Sequence, residues 1–199
     1  MRKMYLSAPL PFVGQKRMLA KEFMKVLEQY PDGTLFVDLF GGSGLLSHIT
    51  KSLKPHSTVI YNDFDNYRFR MKHIPQTNQL LADIREMVGN SVPRHKIIKG
   101  ELRERILSRI EQEENTTGYV DFITLSSSIL FSMKYKLSVQ DMRKEALYNN
   151  IRKTGYPECA DYLEGLEIVS CDYKEVFNRY KDIPGVVFLV DPPYLSTDV

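Results

Sequence analysis

Apolar and polar positions in the first third of the chain follow two different periods. Apolar residues recur at helical spacing between Gln15 and Gln29, and this segment ends before the turn Pro31-Asp32-Gly33. Short apolar runs typical of buried strands follow at Thr34–Leu39 and Thr58–Tyr61, with a helical pattern between them at Leu45–Leu53. The order strand, helix, strand predicts a βαβ unit whose two strands pair in parallel.

The middle of the chain has a different pattern, because beyond residue 65 the apolar spacing is mostly helical. Strand-like runs return only at Leu166–Cys171 and Val186–Val190. We therefore predict an open parallel α/β core built from residues 1–65 and 160–199, interrupted by a mostly helical inserted region at 66–159. The predicted strands end in polar or acidic residues, and an open parallel sheet binds ligands at that edge.

Composition narrows the class of protein. A chain of 199 residues with 43 % hydrophobic and 26 % charged side chains fits a soluble globular protein whose core needs no disulfide or metal. The apolar runs are too short to cross a bilayer, and the N-terminus lacks a signal peptide. Cys159 and Cys171 suit a reducing compartment, and the histidines have no metal-ligand spacing. We expect a cytoplasmic protein without a bound metal.

The net charge of +2 hides an uneven distribution. Residues 66–159 hold 16 Lys and Arg against 11 Asp and Glu, net +5, whereas the rest of the chain is net −3. A basic middle region flanked by acidic segments indicates a surface that binds a polyanion. A solvated helical surface explains the charge equally well.

Candidate chemistry begins at the glycine-rich turn Asp38–Gly44, between a predicted strand and a predicted helix. Its glycines and the free N–H groups of the helix start suit a nucleotide-like ligand, and Asp38 favours a cationic amino-acid group over a pyrophosphate. The dinucleotide pattern G-x-G-x-x-G is not met, because Ser47 occupies its third glycine position. Asp63 follows Gly41 by 22 residues, the distance of an acid that binds ribose hydroxyls. The structural alternatives are a tight turn and a helix N-cap.

The most specific pattern is Asp191-Pro192-Pro193-Tyr194, directly after an apolar run. Two consecutive prolines restrict the backbone and fix the carboxylate relative to the ring. The Asp191 carboxylate and the Pro192 carbonyl can both accept a hydrogen bond from an aromatic amine, and Tyr194 can stack on a planar base. The pattern indicates an amine site that faces an electrophile, with an ordinary strand-ending turn as the alternative.

These motifs together resemble the Dam-type (alpha-group) family of N6-adenine-specific DNA methyltransferases, which are bacterial and phage enzymes. The stretches that carry the resemblance, from the N-terminal cofactor segment to the catalytic motif, are Pro11–Lys16, Asp38–Gly44, Asn62-Asp63, Ser170–Tyr173 and Asp191–Tyr194. Phe12 stands where the family usually has tryptophan, and Gln15 replaces the second of two glycines. The catalytic motif matches without substitution.

The resemblance implies a Rossmann-like sheet that binds S-adenosylmethionine and transfers its methyl group to the N6 amine of adenine in double-stranded DNA, with no metal. The implied catalytic residues are Asp191, Pro192, Pro193 and Tyr194. The implied cofactor-binding residues are Phe12, Lys16, Asp38, Phe40, Gly41, Gly42, Gly44, Asp63, Asp172 and Asp191. The glycine turn would meet the methionine part, Asp63 the ribose, and Asp172 the adenine amine.

The inserted region would supply the DNA contacts. Its candidate phosphate ligands are the basic residues within Arg94–Arg109 together with Lys134, Lys136, Arg143 and Lys144. For the first group, salt bridges to the interleaved glutamates are the alternative.

The family continues beyond its catalytic motif, whereas this sequence ends at Val199, five residues after Tyr194. We therefore expect a sheet that is incomplete on its C-terminal side, with cofactor binding better preserved than turnover. Two alternative functions stay open: a non-catalytic remnant that binds nucleic acid and S-adenosylmethionine, and an amine methyltransferase that acts on RNA or protein. The remaining expectations are a monomer, a bacterial or phage origin, and a cognate restriction endonuclease as a partner.

Overall fold

The computed structural model describes residues 3–14, 16–131 and 134–192. These residues contain eight α-helices and six β-strands, which are, in chain order, α1 (Ala20–Leu27), β1 (Phe36–Asp38), α2 (Leu45–Leu53), β2 (Val59–Asn62), α3 (Tyr67–Lys72), α4 (Ile74–Val88), β3 (Ile97–Ile98), α5 (Gly100–Thr117), α6 (Phe122–Ile129), α7 (Val139–Arg143), β4 (Leu147–Tyr148), β5 (Glu167–Val169), α8 (Tyr173–Tyr180) and β6 (Val187–Leu189). The chain divides into two compact units: the stretches up to Met71 and from Cys159 onward form the first, and Lys72–Glu158 forms the second.

The first unit is built on a four-stranded parallel sheet with the strand order β5-β2-β1-β6. Val37 of β1 is aligned with Ile60 of β2 and with Phe188 of β6, and Asn62 of β2 is aligned with Val169 of β5. All four strands therefore end at the same edge of the sheet. The predicted parallel βαβ unit and the predicted α/β fold class are confirmed.

Helices cover the sheet on both faces, because the central strands carry apolar side chains on both sides. Phe36 packs on one face in a buried cluster with residues of α1 and α2, whose buried members are Ala20, Leu27, Leu45 and Ile49. Val37 points to the opposite face and packs with Ile60 and with Val176 of α8. This alternation along β1 explains why the strand reads as one continuous apolar run in the sequence.

Helix α1 begins later than the sequence pattern predicted. Met18 and Leu19, which belong to the helical pattern predicted between Gln15 and Gln29, lie in a turn before the helix and are 83 % and 55 % exposed, so their predicted place in the helix is wrong. The face that meets the core starts at Ala20 and continues through Phe23 and Leu27, which have the i, i+3, i+7 spacing of one helical stripe. Met18 and Leu19 precede the first residue of that stripe and have no core to cover.

The second unit is mostly helical, as the sequence pattern predicted for the inserted region. Helices α4 and α5 pack together, with Ile84 of the first and Ile106 and Ile110 of the second fully buried. The two short strands β3 and β4 pair antiparallel, which places Ile98 opposite Leu147. The unit begins at Lys72 and ends at Glu158. The assignment of this region to DNA recognition stays a prediction.

Candidate functional site

The ends of three strands are held together at one edge of the sheet by the buried side chain of Asn62. Its Nδ2 donates hydrogen bonds to the carbonyl of Leu39 after β1, at 3.0 Å, and to the carbonyl of Cys171 after β5, at 2.9 Å. Its Oδ1 accepts a hydrogen bond from the Cys171 amide at 3.2 Å. Asn62 therefore fixes the positions from which the candidate site residues extend.

The glycine turn after β1 lies against protein atoms at each of its three sequence-predicted glycines. A Cβ at Gly41 would overlap the Tyr61 ring and come within 2.7 Å of the Asn62 carbonyl oxygen. At Gly42 (φ +50°) a Cβ would lie 2.9 Å from Cε1 of Phe12, and at Gly44 (φ +71°) 2.9 Å from Leu163. Packing and left-handed backbone therefore require these glycines. A ligand's approach to their backbone stays a prediction.

Asp38 ends β1 as a fully buried carboxylate. Its Oδ2 accepts a hydrogen bond from the Ser47 hydroxyl at 2.7 Å, whereas its Oδ1 has no hydrogen-bond partner among the described residues. Burial raises the pKa of Asp38 to about 7, and the negative charge of Asp191 adds to the increase. The Ser47 hydroxyl and the amides of Phe40 and Ser47 oppose it. A buried acceptor of this kind fits a cationic donor.

The N-terminal segment is attached to helix α3 by hydrogen bonds. The Tyr67 hydroxyl accepts from the Leu10 amide at 2.9 Å and donates to the Leu10 carbonyl at 3.2 Å. Arg70 donates from a guanidinium nitrogen to the Pro11 carbonyl at 2.8 Å. The ring of the next residue, Phe12, packs edge-on against Tyr67, with ring centroids 5.8 Å apart. Phe12 is thereby placed beside the glycine turn.

Lys16 and Asp191 form an ion pair, with Nζ 2.9 Å from Oδ1 and side chains 16 % and 28 % exposed. Asp191 follows β6, which pairs with β1, and its charge acts on the Asp38 carboxyl. The N-terminal segment, the end of β1 and the first residue of the Asp-Pro-Pro-Tyr motif therefore meet at one place. Pro192 is exposed, and the predicted catalytic residues Pro193 and Tyr194 lie outside the described residues.

The Asp63 side chain caps the amino end of α3, which is close to the alternative role that the sequence left open, although Asp63 lies four residues before the first helical residue, Tyr67. Its Oδ1 accepts from the Tyr67 amide at 2.6 Å, and its Oδ2 accepts from the Arg68 amide at 3.1 Å. Burial raises the pKa of Asp63, against the hydrogen bonds from these amides and from the Tyr61 hydroxyl. Ribose binding by Asp63 stays a prediction.

Asp172 caps helix α8, where its carboxylate accepts a hydrogen bond from the Lys174 amide at 2.8 Å. The side chain is exposed at the edge of the sheet. Beside it, the rings of Phe40 and Tyr173 pack with centroids 4.9 Å apart and form a half-exposed aromatic pair. This pair offers a planar surface next to an acceptor, which is suitable for an aromatic ring that carries an amine.

Sequence reasoning gave no separate role to Tyr61, Asn62 or Ser47. The structure places all three in hydrogen bonds to candidate site groups. A signal for the first two was present, because polar groups at the end of an apolar strand must find partners when the strand is buried. Which groups they would meet depends on the parallel register.

Most of the predicted phosphate ligands in the second unit are engaged in ion pairs. Arg109 pairs with Asp83 and Glu113 on helices α4 and α5, and Arg143 pairs with Glu104 and Glu111. The other cations in ion pairs are Arg103, Lys134, Lys136 and Lys144. The salt-bridge alternative therefore holds for Arg103 and Arg109. DNA contact by these side chains stays a prediction.

A mixed α/β unit with a parallel central sheet, and motifs gathered at the carboxyl ends of its strands, is consistent with an S-adenosylmethionine-dependent methyltransferase fold. The model of the D12 class N6 adenine-specific DNA methyltransferases matches residues 12–198, and the chain belongs to this family. It is also 40 % identical over 200 residues to a Haemophilus influenzae protein named "Putative methyltransferase", with 98 % of this chain and 67 % of that protein covered.

Two further features of the described residues bear on the expectations. None of their helices has both the length and the apolar character needed to span a membrane. They contain no group of three or more His, Cys, Asp or Glu side chains arranged to hold a metal ion. The expected absence of a metal stays a prediction.

Proposed function

We propose that this chain transfers a methyl group from S-adenosylmethionine to the N6 amine of adenine in DNA. The observation that carries the proposal is the ion pair between Lys16 and Asp191 beside the buried carboxylate of Asp38. Side chains from three distant sequence motifs meet at the edge where parallel α/β sheets bind ligands. Membership of a family of N6 adenine-specific DNA methyltransferases supports adenine in DNA as the substrate.

The described residues fit the proposed cofactor. The buried Oδ1 of Asp38, which has no hydrogen-bond partner among the described residues, suits the amino group of a methionine moiety. Asp63 would bind the ribose, Asp172 the adenine amine, and Phe12 with Lys16 would lie over the site. When bound, S-adenosylmethionine supplies an electrophilic methyl group on a sulfonium centre. The protein's own contribution is to orient the acceptor and exclude water.

Asp191 is the proposed acceptor for the adenine amine. Its Oδ1 is held by Lys16, so its Oδ2 is the oxygen left to accept a hydrogen bond from the amine. The Pro192 carbonyl would accept a hydrogen bond from the second amine N–H, which leaves the nitrogen lone pair directed outward. The target base must leave the DNA stack, at a cost of a few kcal/mol. Stacking on Tyr194 would offset about 1–3 kcal/mol of that cost.

The test combines calorimetry with S-adenosylhomocysteine and transfer of a tritiated methyl group to duplex DNA that contains adenine. We expect the unsubstituted chain to do both. Asp191→Ala should abolish transfer while changing cofactor affinity by less than about tenfold, or ~1.4 kcal/mol. Asp182→Ala, which removes an exposed carboxylate outside the motif stretches, is the matched control and should transfer normally. Transfer that persists in Asp191→Ala would remove Asp191 from the mechanism.

The same assay separates the alternative functions. Cofactor binding without transfer to any substrate would favour the non-catalytic remnant. Transfer only to RNA or to protein would favour an amine methyltransferase of another substrate class. A cognate restriction endonuclease, a monomeric state and a cytoplasmic location in a bacterial or phage-infected cell stay predictions.

A further inference from the structure

Tyr61 is a fully buried residue of β2 that touches both halves of the proposed cofactor site. Its hydroxyl lies 2.8 Å from the carbonyl oxygen of Gly42 in the glycine turn and 3.0 Å from Oδ1 of Asp63. Its ring lies beneath the same turn, where a Cβ at Gly41 would overlap it. One side chain therefore connects the turn proposed for the methionine part with the acid proposed for the ribose.

The hydroxyl has one proton and two acceptors within hydrogen-bonding distance. Burial raises the pKa of Tyr61, and the negative charge of Asp63 adds to the increase, so the hydroxyl stays protonated. Both the Gly42 carbonyl and an ionised Asp63 carboxylate are acceptors without a proton of their own. Tyr61 can therefore make a full hydrogen bond to only one of them at a time, and the two acceptors compete for it.

Asp63 already accepts hydrogen bonds from the amides of Tyr67 and Arg68. Ribose hydroxyls that donate to the same carboxylate would satisfy its remaining lone pairs. They would thereby replace the hydrogen bond that Tyr61 donates to Asp63. We propose that Tyr61 is a positioning residue that couples the two halves of the cofactor site: when a ribose occupies Asp63, the hydroxyl donates to Gly42 and fixes the glycine turn. This inference rests on the proposed cofactor.

A second buried tyrosine provides a matched control. The Tyr162 hydroxyl donates to the carbonyl of Ser43, at 3.1 Å, and so contacts the same turn. Tyr162 is as fully buried as Tyr61. The hydrogen bond from Tyr162 to the turn goes to Ser43, whereas Tyr61 also hydrogen-bonds to Asp63. Tyr61→Phe and Tyr162→Phe each remove one hydroxyl that donates to the turn, and Tyr61→Phe also removes the hydrogen bond to Asp63.

The experiment is a pair of double-mutant cycles read by calorimetry with S-adenosylhomocysteine. We expect Tyr61→Phe to weaken binding by about three- to tenfold, and to have an effect of less than about twofold when Asp63→Asn is already present. Tyr162→Phe should have the same effect in both backgrounds. An equal effect of Tyr61→Phe in both backgrounds, or no effect in either, would overturn the coupling.

Asp63→Asn could fail to fold because Asp63 also caps α3, so a second test changes the ligand instead of the protein. The 2′,3′-dideoxy analogue of S-adenosylhomocysteine has no ribose hydroxyls to donate to Asp63. Tyr61→Phe should then bind this analogue as tightly as the unsubstituted chain does, while still binding S-adenosylhomocysteine more weakly. Equal weakening for both ligands would contradict the inference. If the unsubstituted chain binds no S-adenosylhomocysteine, the result contradicts the proposed function itself and not the coupling through Tyr61.

Discussion

Ionising a carboxyl group away from water costs free energy unless a donor or a cation compensates, and Asp38 has only part of that compensation. The Ser47 hydroxyl and two amides favour its charged form, but burial and the nearby Asp191 charge outweigh them. We therefore expect the carboxyl to change protonation state near neutral pH. A cationic group placed at its Oδ1 would favour the charged form.

This protonation gives the ligand-free protein an unusual pH dependence. Between about pH 4, where the unfolded Asp38 loses its proton, and about pH 7, where the folded one does, the folded state binds the extra proton. The free energy of unfolding should therefore fall as pH rises through this window and level off above it, by at most about 4 kcal/mol from this group. Urea denaturation at steps of pH measures it.

Asp38→Asn is the control for that measurement, because it keeps the shape of a neutral carboxyl and does not titrate. Relative to Asp38→Asn, the unsubstituted chain should lose stability between about pH 4 and pH 7. Saturating S-adenosylhomocysteine should reduce this difference, since its amino group would pair with the charged form. Parallel stability curves for the two proteins would show that Asp38 ionises in the fold as it does in the unfolded chain.

At this scale the sequence predicts candidate residues but not the environments in which they lie. Asp38 was predicted from its place before the glycines, but its burial and its unpartnered Oδ1 depend on how α2 packs on β1. Asp63 had two possible roles in the sequence, and the amides of α3 occupy its carboxylate in the fold. Tyr61 and Asn62 had none, because their partners Gly42, Leu39 and Cys171 follow other strands of the sheet.

At the scale of elements, the N-terminal segment is the part that brings Lys16 to Asp191. Hydrogen bonds from Tyr67 and Arg70 of α3 hold Leu10 and Pro11, and the following residues reach the edge of the sheet. The segment has little regular secondary structure, so its path depends on these contacts. The family resemblance implied that Lys16 binds the cofactor, and in the structure Lys16 forms an ion pair with the proposed catalytic carboxylate.

Lys16→Met distinguishes these two roles. If Lys16 mainly holds Asp191, its removal should lower the rate of methyl transfer by about tenfold or more and change S-adenosylhomocysteine affinity by less than about threefold. Lys16→Arg should restore part of the rate. Lys21→Met, on the exposed side of α1, is the control and should change neither. A loss of affinity as large as the loss of rate would support the cofactor role.

The order of helices and strands in the first unit could be predicted from the sequence, because the spacing of apolar residues follows from which face of each element is buried. Helix α2 has the bounds that the pattern gave, Leu45–Leu53. Helix α1 does not, because periodicity cannot tell the first residue of a helix from an apolar turn before it, and Met18 and Leu19 belong to such a turn. The strand order β5-β2-β1-β6 depends on crossovers that no local pattern contains.

At the scale of the whole molecule, the basic insertion contains fewer available cations than its charge indicates. The net charge of +5 over residues 66–159 suggested a polyanion-facing surface. Ion pairs engage several of these cations, including Lys134 and Lys136, which share Glu145. Lys96 and Lys99, on either side of β3, are exposed and form no ion pair within the described part of the chain. A count of charges in the sequence could not separate the cations held in ion pairs from Lys96 and Lys99.

DNA affinity should therefore depend more on Lys96 and Lys99 than on the paired lysines. Each phosphate contact adds about one to the slope of log affinity against log salt, because counterions are released from the DNA. Lys96→Ala with Lys99→Ala should lower affinity for duplex DNA and reduce the slope by up to about two. Lys134→Ala with Lys136→Ala, which removes the same charge, should change the slope by less than about one. Filter binding from low to moderate salt measures the affinity and the salt slope of each double variant. Equal slopes for the two double variants would show that ion pairing in the free protein does not decide which lysines contact DNA.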